Sequence, residues 1–169
     1  MKKFAVSQIL DRVVSNVHLC GVEVAFTGTS VASIIDGWQP FYNQTFENAN
    51  FQKAYATLTS IEFTEESIVQ NGNTAFKQKV QFRFPANDAN RANRIQLLHK
   101  IKFIKAKITD GRDIVIGRND VFQNTLPTIK SKANEQFCEI EVEAISMTSA
   151  GFTPNPNRFG LPSFIPLSF

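Results

Sequence analysis

Two runs of this sequence carry ionisable side chains at strand spacing. Glu139, Glu141 and Glu143 occupy alternate positions, as do Lys77, Lys79 and, four residues on, Arg83. A period of two puts each set on one face of a strand. A row of carboxylates could hold a cation or share acid–base work. A row of cations could lie along a phosphate backbone. The two sets also answer one another. Like charges on one strand face repel and need opposite partners, cross-strand or on a neighbouring subunit, and Lys77, Lys79 and Arg83, or Lys105 and Lys107, are the candidates. The other reactive types are sparse: His18 and His99, Cys20 and Cys138. No His-x-x-x-His pair, Cys–His cluster, Gly-x-Ser-x-Gly elbow or phosphate loop occurs. His18 and Cys20 have no further soft ligand near them in sequence, so His18 reads as a polar strand residue beside a buried thiol. The expectation is therefore no catalytic residue, no metal, no cofactor and no enzyme activity.

These side chains need strands to position them. Phe76, Gln78, Val80, Phe82 and Phe84 alternate with Lys77, Lys79, Gln81 and Arg83, giving one largely apolar face and one basic face. A platform for single-stranded nucleic acid would instead interleave aromatic and basic residues on one face. Asn71-Gly72 precedes this run, and a type I′ turn favours that pair because both central residues take φ > 0. The β-formers of Tyr55–Phe63 precede the turn. Pro85 ends the strand. Asn87 or Asp88 then caps a helix to about His99, with Ala92, Ile95, Leu98 and, at its edge, Leu97 at three-and-four spacing. A second hairpin joins Lys102–Thr109 to Asp113–Gly117 through Asp110-Gly111, and turn geometry accounts for Gly111 and Gly117. The last clear strand is Gln136–Met147, with Cys138, Ile140, Val142 and Ala144 opposite the glutamates.

The flanks are less regular. Residues 4–16 read as an amphipathic helix weakened by its β-branched residues, with a strand as the alternative. Cys20, Val22, Val24 and Phe26 alternate as one face of a strand, and Ser30–Ile35 reads as a short second one. Residues 36–53 have no period and form a long aromatic loop. Asn119–Asn134 reads as weakly structured, with Val121-Phe122 and Leu126–Ile129 as a short strand broken by Pro127. From Ser149 the chain holds four of its seven prolines, which excludes a central strand or long helix. The organisation expected is one β-rich domain over 1–150 and a Pro/Phe-rich arm over 151–169. The fold class is mainly β, a β-sandwich or rolled antiparallel sheet, with one packed helix around 88–99.

With 169 residues and 43% hydrophobic content the chain is large enough for a packed core. A net charge of +3 is too small to imply nucleic-acid binding without a clustered patch. The cysteines, each on an apolar strand face, read as buried free thiols in a reducing compartment. Asp11 and Arg12 break the initial apolar run too early for a signal peptide. No apolar run is long enough to span a bilayer, so no membrane partner is expected. The chain has 16 Phe against one Trp and two Tyr. Trp38, Phe41, Tyr42, Phe46, Phe51, Phe152, Phe159, Phe164 and Phe169 fall in loop or arm segments. Rings placed there gain free energy by entering an apolar pocket, so they read as inter-subunit contacts.

At the level of pattern, about two thirds of the chain resembles virion structural proteins of tailed bacteriophages of Bacteroidetes-type hosts, in particular tail tube or major tail proteins. The resemblance rests on the early strand Ser15–Val24 and the Glu65–Phe84 hairpin around Gln70-Asn-Gly-Asn73. It continues through the helix followed by Lys102–Gly117 and the closing strand Phe137–Ile145. The aromatic loop and the Pro-rich tail depart from that pattern. The resemblance implies subunits in rings, often hexameric, stacked around a channel through which DNA passes without sequence-specific binding. It also implies other tail or neck proteins as partners, and a place in the virion after assembly in the host cytoplasm. Neck proteins use arms of this kind, so the alternative is a head–tail adaptor or tail terminator ring. From another class, the alternative is a small nucleic-acid-binding module using the basic strand face.

Overall fold

The computed structural model describes residues 18–31, 45–70, 72–109, 111–117, 119 and 125–153. The expected helix at 4–16, most of the aromatic loop and nearly all of the C-terminal arm lie outside them.

The strongest local signal folds as its pattern demands. β5 (Glu62–Gln70) and β6 (Asn73–Pro85) form an antiparallel hairpin in which Gln70 pairs with Asn73. Gly72 takes φ 78°, the positive value this tight turn requires. The preceding segment corrects the expectation of a strand over Tyr55–Phe63. Leu58–Ser60 forms a 3-10 turn, fixed where the Ser60 hydroxyl donates to the Thr57 carbonyl at 2.6 Å, and pairing begins only at Glu62. Propensity over a short window gives way here to a side-chain hydrogen bond that closes a turn.

β10 (Phe137–Ser146) pairs with β6 along its whole length, from Phe137↔Pro85 to Ser146↔Phe76. β9 (Thr128–Ala133) completes a four-stranded sheet in the order β5-β6-β10-β9. This strand starts where the sequence reading has one ending. Pro127 lies just ahead of the strand, and its six residues are mostly exposed, so apolar alternation is weak there.

A second sheet of five strands runs β11-β8-β7-β1-β4. Its strands are β1 (Leu19–Ala25), β4 (Gln52–Lys53), β7 (Phe103–Ile108), β8 (Asp113–Ile116) and β11 (Phe152–Thr153). β2 (Thr29–Val31) and β3 (Thr45–Glu47) form a separate ribbon. Three expectations change here. The 36–53 loop carries β3 and β4. The segment assigned to the arm begins with β11, which pairs with β8. Cys20 is exposed, because the β1–β7 register slips between Leu19 and Gly21. Such a bulge turns the extra residue off the apolar face. Cys138 is buried, and both thiols are free.

The two sheets stack face to face, and the chain is a mainly β sandwich. Val80, Phe82 and Phe84 of β6 and Ile140 and Val142 of β10 meet Val22, Val24, Ile104, Ala106 and Ile116 of the other sheet. Each of these buried Val, Ile and Phe side chains contributes about 1.5–3 kcal/mol. α1 (Arg91–Leu98), the single helix among the described residues, links the sheets and places Leu98 in this core. It starts later than expected. Asp88 accepts the Asn90 amide at 3.0 Å and the Arg94 Nε–H at 2.6 Å, holding a turn before the helix and not capping it. Ala92 and Leu97 are exposed. Gly117 closes β8 with φ 132°. A Cβ there would clash with the Lys102 carbonyl oxygen and lie 2.9 Å from the Phe103 Cα, so close backbone approach demands glycine as well as the turn.

Candidate functional site

Pairing along β6 and β10 puts the basic and acidic residues of both strands on the outer face of the four-stranded sheet. Lys77 Nζ lies 3.4 Å from Glu143, Lys79 Nζ 2.9 Å from Glu141, and Arg83 Nε 2.7 Å from Glu139. Of the two arrangements open to these six side chains, the structure has the cross-strand one within a single chain. Lys130 of β9 adds contacts to Glu141 at 3.2 Å and Glu143 at 3.9 Å. Arg83 also lies over the Phe137 ring, 4.7 Å from its centroid.

The hydrogen bond and field of Glu141 hold the Lys79 ammonium above the ordinary lysine pKa. The same hydrogen bond, with help from Lys130, holds the Glu141 carboxyl below the ordinary carboxylate range. Partly exposed pairs of this kind contribute about 0.2–1 kcal/mol each. Their larger effect is on register, because a one-residue slip would turn the carboxylates into the core.

Register extends the pattern to the edges. Glu62, Thr64 and Glu66 lie opposite Gln81, Lys79 and Lys77, so they share the outer face. Thr128, Lys130 and Lys132 lie opposite Glu143, Glu141 and Glu139. Charge therefore alternates by strand across the face: acidic β5, basic β6, acidic β10, basic β9. A shallow groove on this face is lined by Lys77, Lys79 and Lys130 and by Glu66, Glu141 and Glu143. Three cations against three carboxylates make neither an anion site nor a cation site. Sequence reasoning missed the two edge columns. Their spacing was visible, but β9 did not read as a strand.

The five-stranded sheet carries a smaller network on its own outer face. Lys107 Nζ lies 3.0 Å from Glu23, and Lys105 Nζ lies 3.6 Å from Glu23 and 3.9 Å from Asp113. Lys105 also sits 4.1 Å from the centroid of the Phe51 ring. Phe51 packs with Ala25, Phe103 and Val115 of its own chain, which gives it an intramolecular place without a neighbour. Phe46 and Phe152 lie on β3 and β11. Trp38, Phe41, Tyr42, Phe159, Phe164 and Phe169 fall outside the described residues.

A third arrangement was not foreseen. Gln78, buried among apolar residues of β6, donates to Glu65 at 3.1 Å and to the Thr148 carbonyl at 3.0 Å. Glu65 also accepts from the Ser149 hydroxyl and the Ala150 amide, both at 2.6 Å. This latch fixes the chain as it crosses from β10 to β11. The signal was a glutamine in an otherwise apolar series, since a buried amide needs partners.

The histidines make local contacts. The His18 amide donates to the Thr109 hydroxyl at 3.2 Å, and His99 Nε2 lies 3.1 Å from the Ser131 hydroxyl. Among the described residues no three His, Cys, Asp or Glu side chains form a group able to hold a metal, and no helix is long and apolar enough to cross a membrane.

Fold and site together define an antiparallel, mainly β sandwich with a salt-paired outer face. No protein-family model, no curated protein and no solved structure matches this chain.

Proposed function

We propose that this chain is a virion structural protein of a tailed bacteriophage, a tail tube subunit that forms rings stacked around a DNA channel. The observation that carries the reading is a four-stranded sheet whose central strands, β6 and β10, pair their ionisable groups with one another while its two edge strands have no strand beside them among the described residues. Such a sheet is built to extend and not to react. The aromatic loop and the Pro-rich arm then dock on neighbouring subunits, where an arm of limited chain entropy binds at low ordering cost. The pattern resemblance to tail tube proteins supports the same assignment. The nucleic-acid reading draws less support. Each basic residue of β6 that would meet phosphate already has a carboxylate within 3.4 Å.

Negative-stain electron microscopy of the purified protein across a concentration series tests the assignment. Tubes of uniform diameter are expected. Single rings would move the protein to the neck, as a head–tail adaptor or terminator. Monomers at every concentration, with nucleic-acid binding that weakens steeply in salt, would replace assembly by the binding-module reading.

A further inference from the structure

The edges of the four-stranded sheet carry opposite charge, and we infer that they bind each other between copies of this chain, β5 of one copy against β9 of the next. The inference deepens the proposed ring assembly by naming its joint. Glu62 and Glu66 are exposed on the outer face of β5, and Lys130 and Lys132 are exposed on that of β9. Neither Glu62 nor Glu66 takes part in an ion pair among the described residues. β5 has nine residues and β9 six, so a ladder of useful length can form.

Two alternations continue across such a joint. All pairings in the sheet are antiparallel, so β5 runs opposite to β9. A second copy placed head to tail brings its β5 antiparallel to the first copy's β9. The charge order acidic, basic, acidic, basic then repeats without a fault. With Glu62 opposite Lys132, Glu66 falls diagonal to Lys130. The same kind of diagonal joins Lys130 to Glu143 at 3.9 Å, although Glu143 lies directly opposite Thr128.

Charge also selects against the competing joints. A two-fold β5–β5 pairing sets glutamates against glutamates, and a β9–β9 pairing sets lysines against lysines. Both are isologous and would stop at a dimer, whereas the β5–β9 joint is heterologous and generates a ring or a filament. The lysines blunt the β9 edge toward every partner except an acidic strand, a mix of attraction and exclusion that confers specificity.

A charge exchange tests the joint. The variants are E62K/E66K and K130E/K132E, each first checked for a native circular dichroism spectrum and cooperative melting. Sedimentation velocity at low salt is then run on the wild type, each variant, and their equimolar mixture. The wild type is expected to associate and to dissociate as salt rises. Each variant alone opposes like charges at the joint and is expected to lose the associated species. The mixture restores opposite charges at every joint and is expected to regain it. A folded variant that associates like the wild type, or a mixture of folded variants that stays monomeric, would overturn the inference. So would a wild type that stays monomeric throughout. Restored association without tubes or rings would retain the joint and remove the tail tube reading. Tubes formed by either variant alone would retain that reading and remove the joint.

Discussion

Lys79 and Glu141 show how single residues on this surface respond to pH. The Glu141 pKa is depressed by its hydrogen bond to Lys79, so its contribution is complete above the ordinary carboxylate value of about 4.3 and is lost as pH falls through the depressed value. The Lys79 pKa is raised, so its contribution is complete below about 10.4 and is lost as pH rises through the raised value. The pair is silent across neutral pH. In E141Q the melting temperature is expected to fall less steeply on the acid side than in the wild type, and an unchanged acid limb in thermal melts would contradict this. Gly117 responds through the backbone. G117A places a Cβ against Lys102 at φ 132°, and unfolding in urea is expected to show a loss of about 1–3 kcal/mol or more. A variant as stable as the wild type would mean that the close approach relaxes without cost.

Among the elements, the crossover from β10 to β11 is held by a few polar bonds beside the packing of Ala150 against the core. E65A removes the acceptor of the Ser149 hydroxyl and the Ala150 amide and leaves the buried Gln78 with one partner fewer. The local cost is about 1–2 kcal/mol, so the Ala150 amide is expected to exchange with solvent roughly tenfold faster while the β6–β10 amides stay protected. Equal exchange in both proteins would remove the latch. β6 and β10 are legible because burial on one face forces a strict period of two. β9 is not, because an edge strand with one half-buried residue, Ile129, has no apolar period to read. The bulge at Cys20 is hidden for a related reason. It depends on the register against β7, and neither strand shows that register alone.

For the whole molecule, the proposed assembly separates the body from the arm. F159A/F164A/F169A is expected to abolish rings and tubes while leaving the melting temperature of the sandwich unchanged, because the proposed arm docks on neighbouring subunits and not on its own sandwich. Normal tubes from this variant would sink the role of the arm as an anchor. F82A, by contrast, empties the centre of the sandwich and is expected to cost about 3–5 kcal/mol in equilibrium unfolding. A loss below about 1 kcal/mol would mean the core collapses around the gap.

What the chain determines by itself is local. The turns at Gly72 and Gly111 follow from glycines that accept positive φ, while the apolar face of β6 and the glutamate row of β10 follow from residue types at a spacing of two, which the pleat converts directly into faces. The strand, strand, helix, strand, strand order follows in the same way. Tertiary structure decides which strands become neighbours. The two hairpins contribute to opposite sheets, β10 crosses the chain to lie beside β6, and only that pairing brings Arg83 within 2.7 Å of Glu139. Contacts between residues 56 positions apart depend on how two apolar faces cover each other, and on the closure of everything between them. The charge order of the outer face is such a product. Each column is written in one strand, and their alternation exists only in the folded sheet.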